Sequence, residues 1–473
     1  MMQMAADEVV VEEYDLVVLG SGEGSKFVAW TQARQGKRVA VIEQRWVGGS
    51  CPNIACLPSK NLIQSAKVAS YFSRAAEFGI ETAGYKVKMG GVIQRKRGMV
   101  KGLVDIHLRN FETSGAELVL GHGVFVEPRL IEVKLNTGGV RRLRGTDVLI
   151  GTGTHARVET IPGLAAAKPL THIDALELET LPEHLIVLGG GYIGLEFAQA
   201  LRRLGSRVTV VERNGSLLHR EDADVTAGLQ GLFDEEGIEV ILHATVESVL
   251  GTSGEGVAVR YLQGGEEKTL EGTHLMVALG RTPNTKGIGL ELAGVDLDER
   301  GYVKVNARLE TTAPHTWALG DVTGNPQFTH VAFDDFRVVR DNLAGGDHVT
   351  TGRQVPFVMF TDPELARIGL SEAEAKAKGI SYRLFRIPMA AVLRTRTLSE
   401  TRGFMKALVG EDDRILGITV FGVDGGEIMS AVQIAMLAGL PYTTLRDAVL
   451  AHPTLMEGLV VLFSSTPVVV KPD

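Results

Sequence analysis

Two short apolar runs, each ending in a glycine-rich turn that opens a helical stretch, constrain this chain more than any other feature. The first covers residues 14–20 and leads into Gly20-Ser21-Gly22-Glu23-Gly24-Ser25, with a helix expected to about residue 34. A second strand is expected over 38–42, with Glu43 at its end. An unbroken apolar run of this length reads as a buried parallel strand. Gly20 makes the tight turn, and Gly22 lets backbone amides approach a pyrophosphate at a helix N-terminus. Glu43 falls about twenty residues on, where a carboxylate can take a ribose hydroxyl pair. Ser25 replaces the third glycine of the usual pattern.

The unit recurs. A strand over 184–188 runs into Gly189-Gly190-Gly191-Tyr192-Ile193-Gly194, a helix is expected to about 204, and a strand over 207–211 ends in Glu212. Here all three fingerprint glycines, Gly189, Gly191 and Gly194, are present. Two such units in one chain point to two dinucleotides. Similar strand-to-glycine steps lie at 147–153 and 275–280, and residues 316–321 close the series.

The chain has 2 cysteines in 473 residues, and they stand five positions apart in Gly48-Gly49-Ser50-Cys51-Pro52-Asn53-Ile54-Ala55-Cys56-Leu57-Pro58-Ser59-Lys60. Two cysteines do not make a disulfide scaffold. A close pair in a chain without secretory signals reads as redox-active or metal-binding. A metal would need further ligands, and the segment offers no His, Asp or Glu. Two thiols at this spacing can close into a small, reducible ring.

The length allows two to four domains with sizeable cores. A net charge of −8 argues mildly against a nucleic-acid footprint. No apolar run reaches the roughly 18 residues needed to span a bilayer. Asp7, Glu8, Glu12 and Glu13 are foreign to a signal or transit peptide, so residues 1–13 are expected to be a flexible leader and the protein cytoplasmic.

Elsewhere, a long helix is expected over 86–110, short strands over 117–133, a β-meander over 236–271 and a helix over 328–343. From about residue 350 the character changes to an α+β module. Strands are expected at 356–360, 382–387, 404–409 and 415–421, and helices at 371–378, 425–437 and 443–448. The fold expected is α/β, with two Rossmann-like doubly wound dinucleotide-binding domains and a C-terminal α+β domain.

A hydride from a nicotinamide reaches a dithiol through a flavin. With two nucleotide sites, a cysteine pair and Ala451-His452-Pro453-Thr454-Leu455-Met456-Glu457 near the end, the chain resembles the FAD-dependent pyridine nucleotide-disulfide oxidoreductases. These are the family of dihydrolipoamide dehydrogenase, glutathione reductase and mercuric reductase. The resemblance runs from Tyr14 to about Gly458 in the family's motif order. It implies an FAD-binding part at 14–155 and 281–349, an NAD(P)-binding part at 156–280 and a dimerisation domain at 350–473.

The resemblance also implies roles. Gly20, Gly22 and Glu43 would bind FAD, with Gly49, Ser50, Thr152, Gly153 and Asp321 along the rest of the cofactor. Cys56 would be the thiolate against the flavin ring, and Cys51 the interchange thiol. Lys60, paired with Glu196, would lie beside the flavin and stabilise negative charge there. His452 and Glu457 would serve the thiols of the neighbouring subunit as base and orienter, making a homodimer the catalytic unit. Gly189, Gly191, Tyr192, Gly194, Glu212 and Arg213 would contact the pyridine nucleotide, and Gly280 and Arg281 would also bind cofactor. Tyr192 sits where glutathione reductases carry a tyrosine over the nicotinamide pocket.

Glu212 favours NADH, since a carboxylate repels a 2′-phosphate; Arg213 and Arg220 keep NADPH in play. Trp30 stands at or near the place of the arginine that a glutathione reductase would use for its peptide carboxylate. Mercuric reductases add a C-terminal cysteine pair that is missing here, although Thr401-Arg402-Gly403-Phe404-Met405-Lys406 resembles that branch. The expected substrate is a small disulfide, with dihydrolipoamide as the default. The alternative is a metal ion, a quinone or another electrophile, which must come to Cys51 or to the flavin.

Overall fold

The computed structural model describes residues 10–471 and divides into two compact units. The first comprises residues up to Ser59, then Gln94–Arg157 and Gly280–Arg353. The second comprises Lys60–Ile93, Val158–Leu279 and the chain from Gln354 onward. The segment Lys60–Ile93, expected with the first nucleotide-binding part, thus packs within the second unit.

The first unit is built on parallel strands in the order Glu117–Glu127, Val39–Glu43, Val11–Leu19, Val140–Ile150 and Thr316–Ala318. Leu130–Leu135 pairs antiparallel with both Glu117–Glu127 and Val140–Ile150. Alternate residues of the central strand feed opposite faces. Val17 and Leu19 pack with Ile42, Val148 and Ile150, while Leu16 and Val18 pack with Val28, Trp30 and Val339. That two-sided burial is why residues 14–20 read as unbroken apolar sequence. Helix Glu23–Arg34 follows the first strand, and helix Thr329–Leu343 joins it on the Trp30 side.

The first strand begins at Val11, so residues 11–13 are ladder rather than leader. Val11, Glu12 and Glu13 pair with Arg142, Leu143 and Arg144, and Arg141 clamps Glu12 with a bond of 2.7 Å. Residues 1–9 lie outside the described part. Glu12 and Glu13, two of the acidic residues that suggested a leader, each have an arginine from a strand more than a hundred residues away.

The second unit carries a parallel sheet in the order His274–Val277, His184–Leu188, Arg207–Val211 and Glu239–Ile241. Helices Tyr192–Leu204 and Ala223–Glu235 belong to it. A meander of three strands, Thr245–Thr252, Gly256–Gln263 and Glu266–Gly272, stands apart. The expected meander over 236–271 is therefore too long. Its first piece, Glu239–Ile241, is an edge of the parallel sheet.

The same unit ends in a six-stranded antiparallel sheet, ordered Phe357–Met359, Glu364–Gly369, Ile415–Gly422, Phe404–Val409, Tyr382–Pro388 and Val468–Val470. Helices Gly425–Leu437 and Gly458–Ser464 bury Ile428, Val432, Leu459 and Phe463 against it. Strand Glu364–Gly369 was not expected, because Pro363, Glu364 and Arg367 break the apolar signal that Leu365, Ala366 and Ile368 carry. The helix expected over 86–110 runs Met89–Ser114. Phe111, buried against Trp30, extends it beyond the polar run where it was expected to end.

Candidate active site

The two cysteines stand at the starts of consecutive helices, Ser50–Asn53 and Cys56–Ser73. Neither helix was expected from a segment holding two prolines. Pro52 and Pro58 both fall in first turns, where the missing N–H has no intrahelical partner to lose. The loop before them is pinned from three sides. Asn53 donates to Val47 and Gly49 carbonyls at 2.9 and 2.8 Å, and Ser21 Oγ accepts from Gly48 N at 2.9 Å. A Cβ on Gly49 would stand 2.5 Å from Gly22 Cα, so the N-caps of the Cys51 helix and of Glu23–Arg34 touch backbone to backbone.

Cys51 and Cys56 are thiols here, and both are half-buried. A hydrogen bond to the Cys56 sulphur, burial and the Cys56 charge all push the Cys51 thiol up; Thr329 pulls against them. Thr329 Oγ1 lies 3.2 Å from Cys56 Sγ, within hydrogen-bonding distance.

Both glycine turns have the expected form. Gly20 and Gly189 take φ of +97° and +107°, and Cβ atoms on them would meet the carbonyls of Gly151 and Ala278 at 2.4 and 2.6 Å. Only glycine meets both demands. Gly22 and Gly191 N-cap their helices with no side-chain cap, and nothing described lies within 4 Å of where a Cβ on Gly191 would stand. Uncapped amides facing open space at the N-terminus of a long helix fit a pyrophosphate. Glu43 and Glu212 are held alike: each accepts from the residue between the first two glycines, Ser21 N at 3.0 Å and Gly190 N at 2.6 Å. Arg45 N and Trp46 N fix the other oxygen of Glu43, and Asn214 fixes that of Glu212. Ser21 Oγ also donates to Glu43 at 2.7 Å, so both carboxylates are aimed from two sides; Glu212, with three donors, keeps a lone pair for a ribose hydroxyl, whereas Glu43 would have to exchange one of its four. Arg213 is exposed beside Glu212.

Thr152 and Gly153 form a turn zipped to Asn284, with Thr152 Oγ1 donating to Asn284 O and Asn284 Nδ2 donating back to Thr152 O. Thr154 Oγ1 donates to Asp321 at 2.9 Å and accepts from Arg281 Nε at 2.6 Å. Arg281 thus belongs with Thr154 and Asp321 in the first unit, next to exposed Gly280. In the second unit, Lys60 Nζ donates to Glu196 Oε2 at 2.8 Å and lies 4.6 Å from the Phe360 ring centre. Glu196 Oε1 accepts from Phe360 N, so this buried carboxylate cannot swing. His452 Nδ1 donates to Glu457 at 2.8 Å, which leaves the Nε2 lone pair outward on an exposed ring. The ring borders a largely apolar cavity of about 310 Å³ that includes Val392, Leu393 and Val449.

The family model described as pyridine nucleotide-disulphide oxidoreductase matches residues 14–335, and that of the family's dimerisation domain matches 355–462. The chain is a pyridine nucleotide-disulphide oxidoreductase. Members of this family are FAD-dependent enzymes that use a pyridine nucleotide, and the dimerisation domain supports a homodimer. Among curated relatives of this oxidoreductase, the probable pyridine nucleotide-disulfide oxidoreductase RclA of Escherichia coli (strain K12) is 36% identical over 461 residues, covering 96% of this chain and 99% of that protein. A dihydrolipoamide dehydrogenase of Chaetomium thermophilum is 36% identical over 454 residues, covering 94% and 89%. Among solved structures, the Cu(II) complex of the HOCl-induced flavoprotein disulfide reductase RclA from E. coli superposes with a TM-score of 0.88 at 35% identity, covering 96% and 99%. No helix among the described residues is long and apolar enough to cross a membrane.

Thr329, beside Cys56 in this oxidoreductase, carried no sequence signal. Thr329 is 273 positions from Cys56. Lys26, buried behind the cysteine loop, donates to Glu23, to His107 Nε2 at 2.9 Å and to Gly48 O at 3.3 Å. His107 stays neutral, since burial and then Lys26 hold its ring below the ordinary range.

Proposed function

We propose that this enzyme takes electrons from NADH and delivers them through the Cys51–Cys56 pair to a small electrophile, by default a disulfide such as lipoamide. The observation that carries this reading is the Cys51–Cys56–Thr329 cluster, in which two half-buried thiols at the starts of consecutive helices share a hydroxyl 3.2 Å from Cys56. FAD, held by Gly20, Gly22, Glu43, Gly49, Ser50, Thr152, Gly153 and Asp321, would supply hydride acceptance and the electron pair that opens the disulfide. Cys56 holds the resulting negative charge, stabilised by Thr329 and by the Cys51 S–H. The Lys60 ammonium, oriented by Glu196, adds a fixed positive charge.

Cys51, deprotonated by His452 of the neighbouring subunit, attacks a substrate disulfide. One substrate sulphur bonds to Cys51, and the other leaves as a thiolate that takes the proton back from His452. Cys56 then attacks the mixed disulfide at Cys51 sulphur, expelling the second substrate thiolate and closing the Cys51–Cys56 bond. Glu457 keeps the imidazole in the tautomer whose Nε2 accepts. Glu212, whose position beside Gly190 would crowd a 2′-phosphate, favours NADH over NADPH. A dithiol that must cycle suits a reducing compartment, and we place the enzyme in the cytoplasm.

One observation favours a second reading. A relative with 35% identity has been solved as a Cu(II) complex. A soft or borderline cation would find two sulphurs at Cys51 and Cys56. A steady-state panel of lipoamide, glutathione disulfide, Cu²⁺, Hg²⁺ and a benzoquinone, each with NADH and NADPH, separates the readings. The disulfide reading expects lipoamide turnover that Cys51→Ser abolishes. Turnover of Cu²⁺ alone, lost in the same variant, replaces it with the metal reading. Quinone turnover indifferent to both cysteines sinks the two together.

A further inference from the structure

Tyr192 is the first residue of helix Tyr192–Leu204, immediately after the uncapped Gly191. A side chain there leans back toward the helix N-terminus, over the glycine turn. Its hydroxyl lies 3.3 Å from Glu221 Oε1. Arg367 Nε approaches both oxygens of Glu221, at 3.2 and 3.1 Å. The Glu221 and Arg367 side chains are only 6% and 12% exposed, so phenol, carboxylate and guanidinium form one enclosed chain.

Further contacts fix this chain beside the dinucleotide turn. Leu218 N donates to Gly190 O at 3.0 Å, and a Cβ on Gly190 would stand 2.8 Å from Leu217. The segment carrying Glu221 therefore lies along the turn itself. Next to Glu221, Asp222 accepts from Glu372 N, Ala373 N and the fully buried Lys406, which fixes the segment from the other end. Arg367 is fixed in turn, 4.5 Å over the Phe357 ring and 3.4 Å from Glu374.

We propose that Glu221 and Arg367 are positioning residues for the pyridine nucleotide: they hold the Tyr192 phenol as one wall of its site. The proposal rests on the reading of Gly189–Gly194 as the pyridine-nucleotide turn. A buried ion pair adds little net stability, because desolvating two charges consumes most of their attraction. What it does add is orientation. Arg367 neutralises Glu221, and Glu221 then fixes the hydroxyl end of a ring whose body packs on the core of this unit. A wall already in place lowers the ordering cost when a ligand binds. The strand that carries Arg367, Glu364–Gly369, belongs to the antiparallel sheet. A residue of the dimerisation-domain region therefore bears on nucleotide binding.

The test uses the FAD-loaded enzyme and measures NAD⁺ affinity by calorimetry, flavin reduction by NADH at saturation, and thermal midpoint. Arg367→Met and Tyr192→Phe are each expected to weaken NAD⁺ by about tenfold, the scale of one hydrogen bond to a charged group. Combining them should weaken it no further, and Arg367→Lys should recover most of the affinity. Should Arg367→Met fail to fold, Glu221→Gln keeps the volume and carries the same expectation. Variants that melt earlier yet bind NAD⁺ within twofold of the parent overturn the proposal, as does a double variant whose losses multiply. A parent enzyme that binds neither NAD⁺ nor NADP⁺ overturns the dinucleotide reading as well.

Discussion

The Ser25 hydroxyl fills the volume that a Cβ on Gly151 would need, 1.9 Å from where that atom would be. In the second unit the same contact is made by Gly194 and Ala278, whose Cβ atoms would be 3.1 Å apart. The two dinucleotide units thus solve one packing problem in opposite ways. Each contact has room for one side chain, carried by the helix in the first unit and by the strand end in the second. The departure at Ser25 from the glycine fingerprint is compensated across the sheet.

Gly151→Ala should therefore destabilise the protein by about 1–3 kcal/mol through overpacking, and Ser25→Gly on top of it should recover most of that loss. Urea unfolding of the two single variants and the double variant checks this. Simple additivity would show that the contact is looser than described.

Thr329→Val keeps shape while removing the hydroxyl 3.2 Å from Cys56 Sγ, which can donate to that sulphur once it is a thiolate. A hydrogen bond to a charged group is worth about 1.5–3 kcal/mol, and one pKa unit about 1.4. The pH midpoint of the long-wavelength thiolate–flavin absorbance in two-electron-reduced enzyme should rise by about one unit. An unmoved midpoint means that Thr329 is not the donor.

Lys26 has three donors and three acceptors, so Lys26→Met leaves Gly48 O and His107 Nε2 without a donor and strands Glu23. A loss of about 2 kcal/mol is expected, partly restored by adding Glu23→Gln. Thermal unfolding measures both. If Lys26→Met costs under half a kilocalorie, the ammonium is not what pins the cysteine loop.

Asp362 is pushed up by burial, but Arg203 and Lys67 more than offset this and hold it below its ordinary 3.8. A depressed carboxylate stabilises the fold above its unfolded value and loses that contribution as pH falls through the folded one. Asp362→Asn should cost about 3 kcal/mol at pH 7, because it leaves buried cations short of a partner. The gap between variant and parent should narrow steadily below about pH 4. Denaturant midpoints from pH 7 to pH 3 give the comparison, and a constant gap across that range contradicts the assignment.

Glu212→Ser should narrow the preference for NADH over NADPH by about tenfold or more, since it removes the charge facing a 2′-phosphate and leaves Arg213 exposed beside it. The ratio of kcat/KM values for the two nucleotides reports this. A parent enzyme that already prefers NADPH reverses the reading of Glu212.

By itself the sequence determined the strand–turn–helix units, the positions of Gly20, Gly22, Gly189 and Gly191, and the spacing to Glu43 and Glu212. It also determined the cysteine pair and the C-terminal α+β module. These are local demands: a positive φ, a two-sided burial or a turn of fixed length is satisfied by the residues that occupy it. The structure decided what depends on distant partners. Thr329 beside Cys56, Lys26 against His107 and Gly48, and the Arg367–Glu221–Tyr192 chain join groups 22 to 273 positions apart. The strand at Val11–Glu13 and the place of Arg281 beside Asp321 were settled the same way. A polar side chain reads as surface until packing brings it a counterpart, and chain separation carries no trace of that meeting.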